Sequence, residues 1–115
     1  MKIGIDLVEH KDIINKDERF IKRVLSSEEL AYYETLNSEK RKLEYLASRW
    51  ALKEAIIKCY EHFIDYSKIA ILNKKNGAPY ALINNKAVEL QISLSHTDNY
   101  SIAIAILLTN DDDLV

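Results

Sequence analysis

The stretch LEYLASRWALKEAIIKCY, Leu43 to Tyr60, constrains this chain more than any other segment does. At about 100° per residue, Leu43, Leu46, Ala47, Trp50 and Ile57 fall on one broad stripe, while Leu52, Ala55, Ile56 and Cys59 cover the opposite side. A helix that is apolar nearly all round is normally buried, and the pattern predicts one that continues to around His62. Yet Arg49, Lys53, Glu54 and Lys58 stand in its centre, with Glu54 in the middle of the apolar stripe near the angular position of Leu43 and Trp50. A buried carboxylate must be paired with a cation, bound to a metal, or kept protonated. Something has to face Glu54.

The rest of the chain bounds what that partner can be. At 115 residues it fits one domain, residues 1–115, around a single core. With 48% hydrophobic and 30% charged residues, neither disorder nor a membrane protein is indicated. A net charge of −2 argues against a general nucleic-acid binder, whose affinity comes from neutralising many phosphates; any basic site is local. The single cysteine, Cys59, excludes an internal disulfide framework and fits a reducing cytoplasm. Its place in the apolar segment marks it as a buried structural thiol. The opening MKIGIDLVEH meets Asp6 too soon for a signal peptide, and no stretch approaches a transmembrane length. These features predict a soluble, cytoplasmic protein with neither nucleic acid nor membrane as partner.

Residues 2 to 8 alternate, with Ile3, Ile5 and Leu7 against Gly4, Asp6 and Val8, which predicts a short strand with one buried face. From Lys11 to Leu25 the apolar spacing predicts a helix, or two short ones with a break near Asn15. Ser26 with Glu29 three residues later reads as a capping box. The helix it starts ends near Asn37-Ser38, which can cap the long helix in turn. Strands are predicted over Ile69–Leu72 and Tyr80–Ile83 about an Asn76-Gly77 turn, then over Val88–Leu94 and from Tyr100 to about Leu108. Helices first, hairpins second and one opening strand indicate α+β, with the opening strand joining the later ones. In the final strand Ile102, Ile104 and Ile106 alternate with Ala103, Ala105 and Leu107, so one face could serve the core and the other a subunit contact, unless helices cover both. The acidic run Asp111 to Asp113 is expected to be frayed.

Two carboxylates are out of place. Asp6 sits inside a strand, where Asp is disfavoured, and Glu54 sits on an apolar stripe. Taken singly, Asp6 reads as a strand-end carboxylate facing solvent or capping the next helix, and Glu54 as half of a salt bridge with Lys58 one turn on. Together they match the usual protein contribution to a Mg²⁺ site, whose other ligands are water and substrate phosphate oxygens. Arg49, Lys53 and Lys58 beside them are better explained by bound phosphates than by side chains snorkelling to solvent. His96, following Ser93-Leu94-Ser95 and followed by Thr97, fits a polar pocket. Gly77-Ala78-Pro79 could bring bare backbone close to a flat ligand.

At these residues the sequence resembles the holo-acyl-carrier-protein synthases, the small bacterial 4′-phosphopantetheinyl transferases. The matching pieces are GIDLVE (Gly4 to Glu9), RFIKRVLSSEE (Arg19 to Glu29), LASRWALKEAIIK (Leu46 to Lys58), NGAPY (Asn76 to Tyr80) and ISLSHT (Ile92 to Thr97). They occur in family order and span almost the whole chain. The resemblance implies antiparallel strands packed on a long central helix, assembled as a homotrimer with active sites at subunit interfaces. It implies transfer of the phosphopantetheine group of coenzyme A to a serine of apo acyl carrier protein, releasing adenosine 3′,5′-bisphosphate. It puts Asp6 and Glu54 at the Mg²⁺-ligand positions, with Lys58 joining them in catalysis. Arg49, Lys58 and His96 match contacts to the coenzyme A phosphates, and the Gly77 to Pro79 turn a segment near the adenine. Lys11, Arg19, Lys22 and Arg23 match the basic surface that docks the acidic carrier protein.

The base that takes the serine proton stays open between a metal-associated water, Glu54 and Lys58. Three positions depart from the family pattern. Cys59-Tyr60-Glu61-His62-Phe63 replaces a glycine-rich turn, Asp12 stands where a basic docking residue is common, and Ser48 replaces a common glycine, a change a helix surface tolerates. Two other functions compete: a metal-dependent phosphohydrolase using Asp6, Glu54 and His96, and a non-catalytic oligomeric binding module whose buried charges specify an interface.

Overall fold

The computed structural model describes residues 1–109; the acidic run Asp111 to Asp113 lies outside the described residues. The chain opens with β1 (Lys2–Glu9). A 3₁₀ turn, His10–Asp12, leads to α1 (Glu18–Val24), which starts where Asp17 accepts from the Phe20 backbone N–H. The break near Asn15 thus separates a 3₁₀ turn from a helix. α2 (Ser27–Thr35) begins at the predicted capping box, both halves of which form: Ser26 accepts from the Glu29 N–H and Glu29 from the Ser26 N–H. α3 (Glu39–Ile57) is capped by Ser38. After a second 3₁₀ turn, Tyr66–Lys68, come β2 (Ile69–Asn73), β3 (Pro79–Ile83), the short β4 (Lys86–Ala87), β5 (Leu90–His96) and β6 (Tyr100–Leu107).

α3 stops at Ile57, short of His62. The Lys58 N–H reaches the carbonyls of both Glu54 and Ile56, and the next two amides, Cys59 and Tyr60, bond three residues back to Ile56 and Ile57. Tighter bonds of this kind commonly close a helix. Cys59, Tyr60 and Ile64 are all buried, so packing the segment after Lys58 turns it back onto the core. Cys59 is the expected inert thiol, although it sits in this turn and not in the helix; burial pushes its pKa up.

The strands form two three-stranded antiparallel sheets, in the orders β1-β6-β5 and β2-β3-β4. The opening strand does join the later ones: β1 pairs along its whole length with β6, from Lys2 opposite Leu107 to Glu9 opposite Tyr100. α3 lies across the first sheet. Its Leu46, Ala47, Ala51, Leu52, Ala55 and Ile56 form one buried cluster with Val8 of β1 and with Ala103, Ala105 and Leu107 of β6. Each large aliphatic side chain so buried contributes roughly 1.5–3 kcal/mol.

The face of β1 turned to the core is the less apolar one. Gly4 and Val8 are buried, whereas Ile3, Ile5 and Leu7 are 58%, 54% and 61% exposed. β6 continues the uncovered surface with Ile102 and Ile104, both exposed. Among the described residues no helix is long and apolar enough to cross a membrane.

Candidate active site

β1 and the end of α3 approach closely because residue 4 has no side chain. A Cβ there would lie 1.9 Å from the Ala55 carbonyl oxygen and 3.1 Å from Lys58 Cβ. Glycine alone permits that approach. Asp6, two residues on and on the same strand face, is thereby set beside Lys58, whose Nζ donates to the Ile5 carbonyl at 2.7 Å and to Asp6 Oδ1 at 3.3 Å. Burial raises the Asp6 pKa above the usual carboxylate value; the Lys58 hydrogen bond and charge oppose this, and the Glu54 charge adds to it.

Glu54 does not pair with Lys58, which turns to β1 instead. Its Oε1 accepts from the Tyr66 hydroxyl at 2.7 Å. Burial and then this bond push the Tyr66 phenol up to about 12, so its oxygen keeps the proton it donates. The Tyr66 ring packs 4.7 Å from Trp50 and 5.3 Å from Phe63, with the Arg23 guanidinium 5.6 Å from its centre.

Arg49 faces elsewhere. It stands five positions before Glu54, about 140° around the helix. Its guanidinium lies 4.5 Å from the Tyr45 ring, and its Nε is 3.8 Å from Glu29 Oε2. That distance is too long for a hydrogen bond, and the buried Nε has no hydrogen-bond partner. Arg49 lines a cavity of about 310 Å³ with Glu29, Tyr45 and Asn73. It also borders one of about 200 Å³ with Arg41, Ser48 and His96. His96, the last residue of β5, is exposed. The hairpin carrying Gly77 (φ +89°) and Pro79 adjoins through Asn73, whose amide donates to the Gly77 carbonyl at 2.9 Å. The predicted residues thus fall into two groups on one chain: Asp6, Glu54 and Lys58 together, and Arg49 with His96 beside the hairpin.

Arg19, Lys22 and Arg23 are exposed on α1, while Lys11 sits in the preceding 3₁₀ turn with its Nζ 3.3 Å from Glu9 Oε2. Arg19 and Arg23 border an open cavity of about 340 Å³ with Lys16 and Phe20.

Lys53 is not a phosphate ligand. It is fully buried, and its Nζ donates to Glu29 Oε1, to the Val24 carbonyl at 2.6 Å and to the Tyr66 carbonyl at 2.9 Å. Burial lowers its pKa, and the Glu29 charge opposes that. Its partner Glu29, 1% exposed, also accepts from the Ile71 N–H at 2.9 Å. Only the capping-box role of Glu29 is visible in the sequence. Ser48, placed by the sequence on a helix surface, is buried, with its Oγ 3.4 Å from Ser101 Oγ. His10 was not singled out either; it is buried, with ring nitrogens 2.8 Å from Ser101 Oγ and 3.0 Å from the Asp98 carbonyl. It ties the end of β1 to the β5–β6 loop.

Asp6 and Glu54 supply hard oxygen donors and only two side chains. Among the described residues no group of three or more His, Cys, Asp or Glu is placed to hold an ion. That donor set suits Mg²⁺, which keeps several waters and binds through one or two carboxylates plus phosphate oxygens.

The sequence profile of the 4′-phosphopantetheinyl transferase superfamily matches residues 2–105. The chain belongs to that superfamily. It is 37% identical over 120 residues to the holo-[acyl-carrier-protein] synthase of Petrotoga mobilis, spanning 95% of this chain and 97% of that one. With the synthase of Onion yellows phytoplasma the identity is 43% over 117 residues, and 91% of each chain is covered. Among solved structures, the Bacillus anthracis holo-(acyl-carrier-protein) synthase in complex with CoA (3′,5′-ADP) superposes with a TM-score of 0.81 at 28% identity, covering 92% of this chain and 94% of that one. The α+β architecture is that of these enzymes.

Proposed function

We propose that this chain, acting as one domain, is a holo-[acyl-carrier-protein] synthase that moves the 4′-phosphopantetheine group of coenzyme A onto a serine of apo acyl carrier protein. The observation that carries the reading is the close β1–α3 contact that Gly4 permits, which sets Asp6 of β1 beside Lys58, one turn beyond Glu54 on the same helix end. The synthase names of the relatives support it.

In the transfer the serine hydroxyl gives its proton to a base, and its oxygen bonds to the phosphorus that carries the pantetheine. The bond from that phosphorus to the bridging oxygen breaks, and adenosine 3′,5′-bisphosphate leaves. Asp6 and Glu54 would hold Mg²⁺, which when bound neutralises charge on the pyrophosphate. Lys58, half exposed and held only by Ile5 and Asp6, can turn its ammonium to the diphosphate as charge develops there. Arg49 and His96 bind the remaining phosphate of coenzyme A, beside the Gly77–Pro79 turn for the adenine. Lys11, Arg19, Lys22 and Arg23 hold the acidic carrier.

The two groups of residues lie on different sides of α3, and the first sheet leaves Ile3, Ile5, Leu7, Ile102 and Ile104 uncovered. A homotrimer packed through this face would bring the Arg49–His96 group of one copy toward the Asp6–Glu54 group of the next. The buried free thiol and the coenzyme A substrate fit a cytoplasmic protein.

The test is incubation with apo acyl carrier protein, coenzyme A and Mg²⁺, followed by the mass of the carrier. We expect the mass of one phosphopantetheine to be added. An unchanged mass, with a known synthase succeeding in parallel, would falsify the proposal, and breakdown of coenzyme A without carrier would favour the phosphohydrolase.

A further inference from the structure

The functional reading above leaves Tyr66 without a task, although its hydroxyl is 2.7 Å from Glu54. Three independent contacts fix this residue, one at its main chain and two at its ring. Its backbone carbonyl accepts from the fully buried Lys53 ammonium at 2.9 Å. Its ring lies 4.7 Å from Trp50, itself on α3 one turn before Glu54, and 5.3 Å edge-on from Phe63. Tyr66 as a whole is 8% exposed. A hydroxyl held at both ends of its residue is a donor that cannot wander.

Glu54 has the opposite character. It is half-buried between the fully buried Lys53 and Ala55, and Lys58, the cation one turn away, is drawn off to Asp6 and Ile5. The Tyr66 hydroxyl is therefore its anchor. A donor fixed on one carboxylate oxygen selects a single rotamer and leaves the other oxygen for a further ligand. Partners of this kind that orient a metal-binding carboxylate are typically worth 10–100-fold in metal affinity or activity.

We infer that Tyr66 is a positioning residue for the metal carboxylate: its hydroxyl clamps Glu54 Oε1 and leaves the remaining oxygen as the one that would hold Mg²⁺. The inference rests on the transferase reading and adds a residue to it. The same ring lies under the Arg23 guanidinium of α1, so the clamp adjoins the surface assigned to the carrier protein.

The test is Tyr66→Phe, which removes one oxygen and keeps the stacked ring. Mg²⁺ is titrated calorimetrically into wild type and variant, each saturated with coenzyme A, and the Mg²⁺ dependence of carrier modification is measured alongside. We expect the Mg²⁺ midpoint to rise about tenfold or more in both measurements, with the KM for coenzyme A at saturating Mg²⁺ unchanged. A merely structural tyrosine would not separate these two quantities. An Mg²⁺ midpoint that is unchanged or lower in the variant overturns the inference while leaving the transferase reading intact; failure of the wild type to modify the carrier overturns the transferase reading itself. Should the variant not fold, Tyr66 is replaced by 3-fluorotyrosine, which retains the hydroxyl. Its fluorine resonance should then shift with added Mg²⁺ at the midpoint found by calorimetry, and a resonance that stays still through the titration overturns the inference.

Discussion

At the scale of single residues, the charges on α3 divide into a structural set and a working set. Lys53 belongs to the first. It bonds Glu29 and two main-chain carbonyls in a fully dry setting, so removing it strands a buried carboxylate. Lys53→Met should cost about 3–5 kcal/mol, read as a lower urea midpoint at an unchanged slope. A loss under about 1 kcal/mol would mean that Glu29 finds another partner, with Arg49 the nearest cation. In the sequence Lys53 looks as eligible for phosphate as Arg49 and Lys58, because helical angle alone does not say which neighbour covers each side. Glu54 was legible as an anomaly, and its tie to Tyr66 was not: the intervening chain, including the turn that ends α3, decides that Tyr66, twelve positions on, returns to the helix.

At the scale of elements, capping and turn chemistry were well expressed in the sequence. Ser26 with Glu29, Ser38 and the Asn76-Gly77 turn each act through neighbours a few residues away, and local signals of that kind survive any tertiary context. The sequence predicts one buried face for β1 without saying which, and the structure buries the face of Gly4 and Val8. Alternation marks the strand, yet the side carrying Ile3, Ile5 and Leu7 turns outward, since only the Gly4 side can slide under the Ala55 carbonyl. α1 presents its basic residues to solvent, with Arg19 and Lys22 free of any carboxylate in the ion pairs described. Reversing both charges, Arg19→Glu with Lys22→Glu, should raise the KM for carrier protein at least about tenfold at low salt and leave the KM for coenzyme A alone. The difference should shrink as salt screens exposed charge. Equal effects on both substrates would show that α1 is not the docking element.

At the scale of the whole molecule, the α+β class and the pairing of the first strand with the last were legible, whereas division of the strands into two sheets was not. Sheet membership depends on how β3 and β5 lean on one another, which periodicity does not encode. The uncovered face of β1 and β6 is where the proposed trimer would pack, because exposed contiguous apolar patches mark interaction sites. Ile5→Asp should shift the protein from trimer to monomer mass in light scattering at micromolar concentration, and carrier modification should fall with it. A wild type that already runs as a monomer would remove the face from the active form. The β1–β6 ladder also carries a consequence for synthesis. An early-made strand hydrogen-bonded throughout to a late-made one has no partner strand while the ribosome is still reading the message between them. Closure of this sheet therefore waits until β6 has been made, and until then the nascent polypeptide leaves Leu52, Ile56 and the other α3 side chains that pack on β6 without their cover, where a chaperone has its opportunity.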